Sequence, residues 1–212
     1  MALAAVVVCH NQPNHLGDLF ASFAQQKTAV DFVVLVSETG SVAIDAKLPE
    51  NTKLLQASTR DAKNFQRAVA DGLAALPSEF ASGDNWLWTL SDQSGAQSGA
   101  LDQLFAKLES AVSAGIIAPK IMDGERPRII REMGLSLTGR SSIFVPVRDQ
   151  LDQGQHDQVE DVLAANLDGA LVSTKRLLAA GGFGEKLRGA AADIELAVRM
   201  RLSSARVILA AD

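Results

Sequence analysis

The sequence has a single cysteine, no tyrosine and only 5% aromatic residues. One thiol, Cys9, excludes an internal disulfide framework and fits a reducing compartment. A basic cluster is also missing. With 20 Lys and Arg against 25 Asp and Glu, and a net charge of −5, the chain offers no footprint for a phosphate backbone, so nucleic acid is excluded as its main partner. No apolar run approaches the roughly 20 residues needed to cross a bilayer. The opening MALAAVVVCHNQ lacks the basic segment of a signal peptide. Repeats and low-complexity tracts are absent. What is present is 212 residues, 47% of them hydrophobic, enough for one sizeable core. The last residues, RVILAAD, form an apolar strand-like run, which predicts a piece cut from a longer protein.

Short β-rich runs alternate with amphipathic stretches. AAVVVCH (4–10), DFVVLVS, TKLLQA, NWLWTLS and GIIAPKI are apolar and short, which predicts buried strands. Between them, Leu16, Leu19, Phe20 and Phe23 form a helical stripe, AKNFQRAVADGLAAL is a second helix ended by Pro77, and residues 98–112 are a third. After residue 120, IIREMGLSLTGRSSIFVPV predicts two extended segments around a turn at Thr138-Gly139-Arg140. A polar loop over 149–161 reads as disordered or as a mobile lid. GALVST, KRLLAAGGF, ADIELAVRMRLSS and ARVILA then predict strand, helix, helix and strand. Apolar strands alternating with helices predict an α/β fold with a mostly parallel sheet covered on both faces. One domain is expected over 1–212, with the part after about 120 closing over the first.

In such sheets ligands bind outside the carboxyl ends of the strands. The polar residues ending these strands are Cys9-His10-Asn11, Ser37-Glu38 and Asp92-Gln93. Asp92 at a strand end suits a metal ligand, and a cap or an exposed loop acid is the alternative. Asp193 opens a late helix, where any acid gains from the macrodipole. Cys9 beside His10 matches no common zinc spacing, with or without His15, and reads as a buried structural thiol. Lys63 and Arg67 open the second helix, either to steer a pyrophosphate or as an ordinary solvated face. Trp86 and Trp88 share one face of their strand and read as core. His156, in a polar segment, reads as solvated.

The order of these motifs resembles the catalytic domain of glycosyltransferase family 2, of GT-A fold, over nearly the whole chain. VVVCHNQPNHLGDLFASFAQQ is similar to that family's opening strand, nucleotide-binding turn and first helix. NWLWTLSDQSGAQSGALDQLFAKLE is similar to its acidic-motif strand and helix. AGIIAPKIMD, LDGALVSTKRLLAAGGFGEKL and AADIELAVRMRLSSARVILAAD follow in family order. DQGQHD (152–157) resembles a subgroup that forms the N-terminal part of large actinobacterial membrane-associated glycosyltransferases. The resemblance implies transfer of a sugar, with inversion, from a nucleotide-diphosphate donor to a saccharide or lipid-linked acceptor. It also implies a cytoplasmic location, with the inner face of the cell membrane as an alternative, and a C-terminal membrane region outside this chain.

Residue by residue, it implies that Asp193 is the catalytic base, taking the proton of the acceptor hydroxyl. His10, Asn11, Ser37, Glu38, Lys63 and Asn64 fall at nucleotide-binding positions. Asp92 and Gln93 fall at the motif that holds Mn²⁺ or Mg²⁺, and Gly169, Ala192 and Glu195 on the acceptor side. The family has two or three aspartates in the acidic motif, where this chain reads Ser91, Asp92 and Gln93. A glutamine carbonyl is a far weaker ligand for a hard cation than a carboxylate. Ala192 stands where Asp193 would have an acidic neighbour, and Ser37 where an aspartate meets the nucleoside.

Two readings follow: a working transferase, or a GT-A domain that has lost its metal site and serves as a binding or assembly module. A nucleotidyltransferase is weaker, because no glycine-rich phosphate loop with a lysine follows the first strand. A working enzyme is expected to turn Asp92 and Asp193 towards one open crevice.

Overall fold

The computed structural model describes residues 1–10, 16–44 and 47–211. Through the first 120 residues the expected alternation is present: β1 (Leu3–Val8), α1 (Leu16–Phe23), β2 (Phe32–Ser37), β3 (Lys53–Ser58), α2 (Phe65–Ala74), α3 (Ser78–Ser82), β4 (Trp86–Ser91), α4 (Ala100–Ser110) and β5 (Ala114–Pro119). The short α3 was not legible. Pro77 ends the preceding segment as expected and at once becomes the N-cap of this extra turn. The second half adds β6 (Ile121–Met122), β7 (Ile129–Met133), β8 (Ser136–Leu137), β9 (Ile143–Phe144), β10 (Val147–Leu151), β11 (Leu171–Ser173), α5 (Thr174–Ala179), α6 (Ala190–Leu202) and β12 (Arg206–Ala210).

Among the described residues the main sheet runs β12-β5-β11-β4-β1-β2-β3. All neighbours are parallel except β11, which lies antiparallel between β4 and β5. β1 and β4 are buried along their whole length because helices cover both faces. On one face α1 and α4 pack over Leu3, Ala5, Val7, Cys9, Trp86 and Trp88. On the other, α2, α3, α5 and α6 pack over Ala4, Val6, Val8 and Leu87. The tryptophans are core, as their alternation predicts: the Trp88 ring lies 5.1 Å from that of Phe23. Gly72 lets α2 lie directly on the sheet, since a Cβ there would stand 2.5 Å from Val6 Cγ1 and 2.8 Å from Val36 Cγ2.

Register sets the working rim. Val8 pairs with both Val36 and Ser91, and Ser37 pairs with Ser58, so four parallel strands end flush. Because β11 runs the other way, the residues that precede it arrive at this same rim.

Two expectations are corrected. GIIAPKI is not one strand: β5 stops at Pro119, and β6 joins a separate small sheet, β10-β7-β6. The segment 149–161 is neither disordered nor a free lid. Its first residues belong to β10, paired antiparallel with β7. Asp152 and Asp157 then hold Lys120 Nζ at 2.8 and 3.1 Å, and the Leu209 N–H reaches the Glu160 carbonyl at 2.7 Å. β10 is exposed after its first residue, so it carries no apolar alternation from which a strand could be read. The β8–β9 ribbon turns at 138–141, as expected.

Candidate active site

Asp193 lies in the first turn of α6 and is 8% exposed. Its Oδ1 accepts a hydrogen bond from Gln66 Nε2 at 2.9 Å. Burial pushes its carboxyl up from 3.8 to about 7, the charges of Glu132 and Asp168 push the same way, and the Gln66 amide and the Leu167 N–H oppose them. It borders a cavity of about 220 Å³. Phe65, Ile143 and Phe144 give this cavity apolar walls, while Glu132, Arg148 and Asn166 add polar groups. The elements converge for a topological reason: α2 and α6 both begin at the carboxyl rim, and the β8–β9 ribbon folds over them.

Asp92 does not border this cavity. Its side chain is wholly buried, and its Oδ2 accepts the main-chain N–H of His10 at 2.7 Å. His10 Nδ1 stands 3.4 Å from its Oδ1. The pleat explains the separation, because successive side chains on a strand point to opposite faces. Trp86, Trp88 and Leu90 face the α1/α4 core, and Asp92 continues their parity. Ser91 has the opposite parity and meets Asp168: its N–H and Oγ donate to the carboxylate at 2.9 and 2.8 Å, and Ser94 Oγ adds a bond at 2.5 Å. Among the described residues, Asp92 and Asp193 therefore lie on opposite faces of the sheet and do not line one cavity.

The family's divalent cation finds a poor donor set. Asp92 is turned inwards to His10, Gln93 is exposed and neutral, and Asp168 is occupied by serine donors. Among the described residues no group of three or more His, Cys, Asp or Glu is placed to hold a metal. These residues do not fit a hard cation that takes six or more oxygen ligands.

The expected nucleotide residues fall out as follows. Asn11 lies outside the described residues, as does His15. Ser37 is buried, its hydroxyl 3.2 Å from Thr39 Oγ1. Glu38 is exposed, accepts the Ala62 N–H at 3.3 Å, and borders a wide cleft of about 640 Å³ with Thr59, Arg60 and Arg67. Lys63 is exposed nearby. Asn64 is buried and caps α2, accepting the Arg67 N–H at 3.3 Å.

On the other side, Gly169 has φ +89°, and a Cβ there would stand 3.0 Å from Pro119 Cγ. Its N–H donates to the Thr89 carbonyl at 2.7 Å and its carbonyl accepts from Trp88 Nε1 at 3.2 Å, so it is a backbone pivot into β11. Ala192 is buried. Glu195 does not face the cavity: it pairs with Arg199 at 2.6 Å, and Arg199 also donates to the carbonyls of Ala180 and Gly182, fastening the turn after α5. Cys9 is a buried thiol pushed up to about 12 by burial and the nearby Asp92 charge.

Sequence reading missed Gln66, Glu132, Arg148 and Asp168. Gln66 had a signal, since it is a polar residue on the buried stripe of α2 that continues to Ala68, Val69 and Gly72. Glu132 and Arg148 had none, because their place at the cavity depends on pairing between distant strands.

No protein-family model matches the chain, and no curated protein matches it by sequence. Solved structures do resemble it. The structure of S. aureus TarS residues 1–349 in complex with UDP-GlcNAc is 15% identical, with a TM-score of 0.61 over 99% of this chain and 56% of that one. A longer S. aureus TarS structure gives 13% identity and a TM-score of 0.59 over 100% of this chain and 35% of that one. GalNAc-T7 with UDP, GalNAc and Mn²⁺ gives 10% identity and a TM-score of 0.65, over 99% of this chain and 42% of that one. The chain thus spans between about a third and three-fifths of these relatives. At such identities the likeness establishes the fold: an α/β domain of GT-A type with a mostly parallel central sheet. Among the described residues no helix is long and apolar enough to cross a membrane.

Proposed function

We propose that this chain transfers a sugar from a nucleotide-diphosphate donor to an acceptor hydroxyl, with inversion, in the manner of glycosyltransferase family 2. The observation that carries the reading is Asp193: a buried carboxyl with its pKa near 7, at a helix start, bordering a cavity of acceptor size. A base poised near neutrality both ionises and accepts a proton efficiently. The Asp193 carboxylate takes the acceptor hydroxyl proton as that oxygen attacks the anomeric carbon. The sugar–phosphate bond breaks on the opposite side, and the nucleoside diphosphate leaves.

The donor lies along the rim beside Glu38 and the Arg60 and Arg67 cleft, with Lys63 adding positive charge near the pyrophosphate; His10 and Ser37 are close by on the same rim. No step is routed through a metal, since the residues do not fit one. The donor falls to about 1–120, and the acceptor mainly to about 121–212, with Phe65 and Gln66 of the first half completing its cavity. That UDP-GlcNAc is bound in a TarS complex of the same fold supports a nucleotide sugar as the donor class.

A second reading, a degenerate GT-A domain serving assembly in a larger membrane-associated protein, draws on the inward turn of Asp92 and the neutral Gln93. Titration calorimetry with UDP and then GDP, each with and without Mn²⁺, separates the two. Binding of either nucleotide, with little change on adding Mn²⁺, is the outcome expected of the transferase. Failure of both nucleotides to bind sinks it and leaves the assembly module.

A further inference from the structure

An ion pair stands between the two spaces assigned to donor and acceptor. Arg188 Nη2 meets Asp61 Oδ2 at 2.7 Å. Asp61 directly follows Thr59 and Arg60, which line the wide cleft, and Arg188 directly precedes Gly189 and Ala190, which line the Asp193 cavity. The pair thus bridges the loop that leads into α2 and the segment that leads into α6. Packing does not fix it, since the Arg188 side chain is 66% exposed and that of Asp61 27%. Exposed pairs of this kind are held weakly and exchange partners at little cost.

The cleft lacks the charge to hold its expected ligand. Its walls set two cations, Arg60 and Arg67, against two acids, Glu38 and Asp71, and Arg67 Nε already lies 4.0 Å from Asp71 Oδ2. That leaves no surplus for the several negative charges of a diphosphate, and Asp61 adds a further acid beside Arg60. Lys63 is one exposed cation nearby. The rim does not fit a hard cation, so the remaining balance falls to side chains. Arg188 brings a guanidinium to the edge of the cleft from the acceptor side.

We propose that Arg188 is a donor-binding residue: its guanidinium leaves Asp61 for the diphosphate when a nucleotide sugar enters the cleft, and Asp61 parks it at the cleft edge until then. A diphosphate carries more charge than one carboxylate and fits the planar fork of a guanidinium as well, so it wins the exchange. Arg188 lies just before the helix that carries Asp193, so the exchange also ties the start of α6 to the donor. The choice of a diphosphate rests on the transferase reading; the exchange rests on the place of the pair between cleft and cavity.

The test is titration calorimetry on the 212-residue chain, with inorganic pyrophosphate, UDP and GDP as probes and no divalent cation. R188Q should weaken pyrophosphate, and whichever nucleotide binds, about tenfold. D61N should tighten them about two- to fivefold, because Arg188 is then released. Opposite signs separate exchange from a bridge that only braces the fold, whose loss from either end acts in one direction. In the R188Q background D61N should gain nothing further, the non-additivity of two residues that act through each other. Unchanged urea midpoints report that these exposed substitutions leave the chain folded. The proposal is overturned if no probe binds, if R188Q binds them as the parent chain does, or if D61N weakens them. It is overturned equally if D61N tightens them as much in the R188Q background, which mere loss of a negative charge would produce. Pyrophosphate binding with the expected signs but no nucleotide binding would keep the exchange and retire the transferase reading, and nucleotide binding indifferent to R188Q would do the reverse.

Discussion

Asp92 and Asp193 are both buried aspartates at the carboxyl rim of one sheet, yet they sit in different surroundings. Asp92 is drawn to the end of β1, where its carboxylate accepts the His10 N–H and closes the gap between two parallel strands. Asp193 is held by a single side-chain amide, near two other acids, at the edge of a cavity. Burial is common to the two and so does not mark the site. What separates them is their setting: the Asp92 carboxylate bonds the end of the neighbouring strand, whereas the Asp193 carboxyl, beside the charges of Glu132 and Asp168 at a cavity, is costly to ionise.

The strongest attack on that contrast is D193N. If Asp193 is the base, turnover should fall by about 10²–10⁴-fold, while the protein becomes more stable above neutral pH. The sign follows from linkage. The folded carboxyl titrates near 7 and the unfolded one near 3.8, so the contribution of Asp193 to stability is greatest below about 3.8 and declines as pH rises to about 7. A shift of that size corresponds to at most about 4 kcal/mol, and D193N should lack this decline in denaturant melts from pH 4 to 8. In the same window the wild-type rate should rise through about pH 7, as the base ionises. A pH-independent rate would end the comparison.

Asp92 should respond in the opposite sense. D92A leaves the His10 N–H without its acceptor and should cost about 1–3 kcal/mol in urea unfolding, whereas D92N, which keeps a carbonyl oxygen, should cost less. A stabilised D92A would show that the inward bond is incidental. D168A, which frees the Ser91 and Ser94 donors at the end of β4, should cost a similar or smaller amount, about 1–2 kcal/mol. The smallest effect is expected from Q93D. With Asp92 turned away and residue 93 exposed, a new carboxylate there should change Mn²⁺ affinity by no more than a few-fold in calorimetry. A large gain would mean that the rim still holds most of a metal site.

Much of the architecture was legible because the physics that makes it is local. β1, β2 and β4 are apolar at nearly every position, which only a sheet covered on both faces tolerates, and α1 and α2 carry stripes at helical spacing. Asp193 was legible as an acid at a helix start. β10 was not, since an exposed strand has no alternation to read. The pairing of Glu195, expected on the acceptor side, with Arg199 was not legible, because the carbonyls that Arg199 also binds lie in another segment. The expected crevice shared by Asp92 and Asp193 failed on a point that was open to reading: Trp86, Trp88 and Asp92 have one parity, and the α1/α4 face was already theirs.

The sequence by itself determined the alternation of strands and helices, the parallel sheet and the single acid among residues 91–93, because periodicity and residue chemistry are properties of neighbours along the chain. Only the tertiary structure decided which acid faces a cavity. Gln66, Glu132 and Asp193 come from a helix, a strand and another helix far apart in sequence, and the pKa of Asp193 is set by the burial and charge they create together. Desolvation and Coulomb interaction depend on distance in space, and no spacing along the chain encodes them.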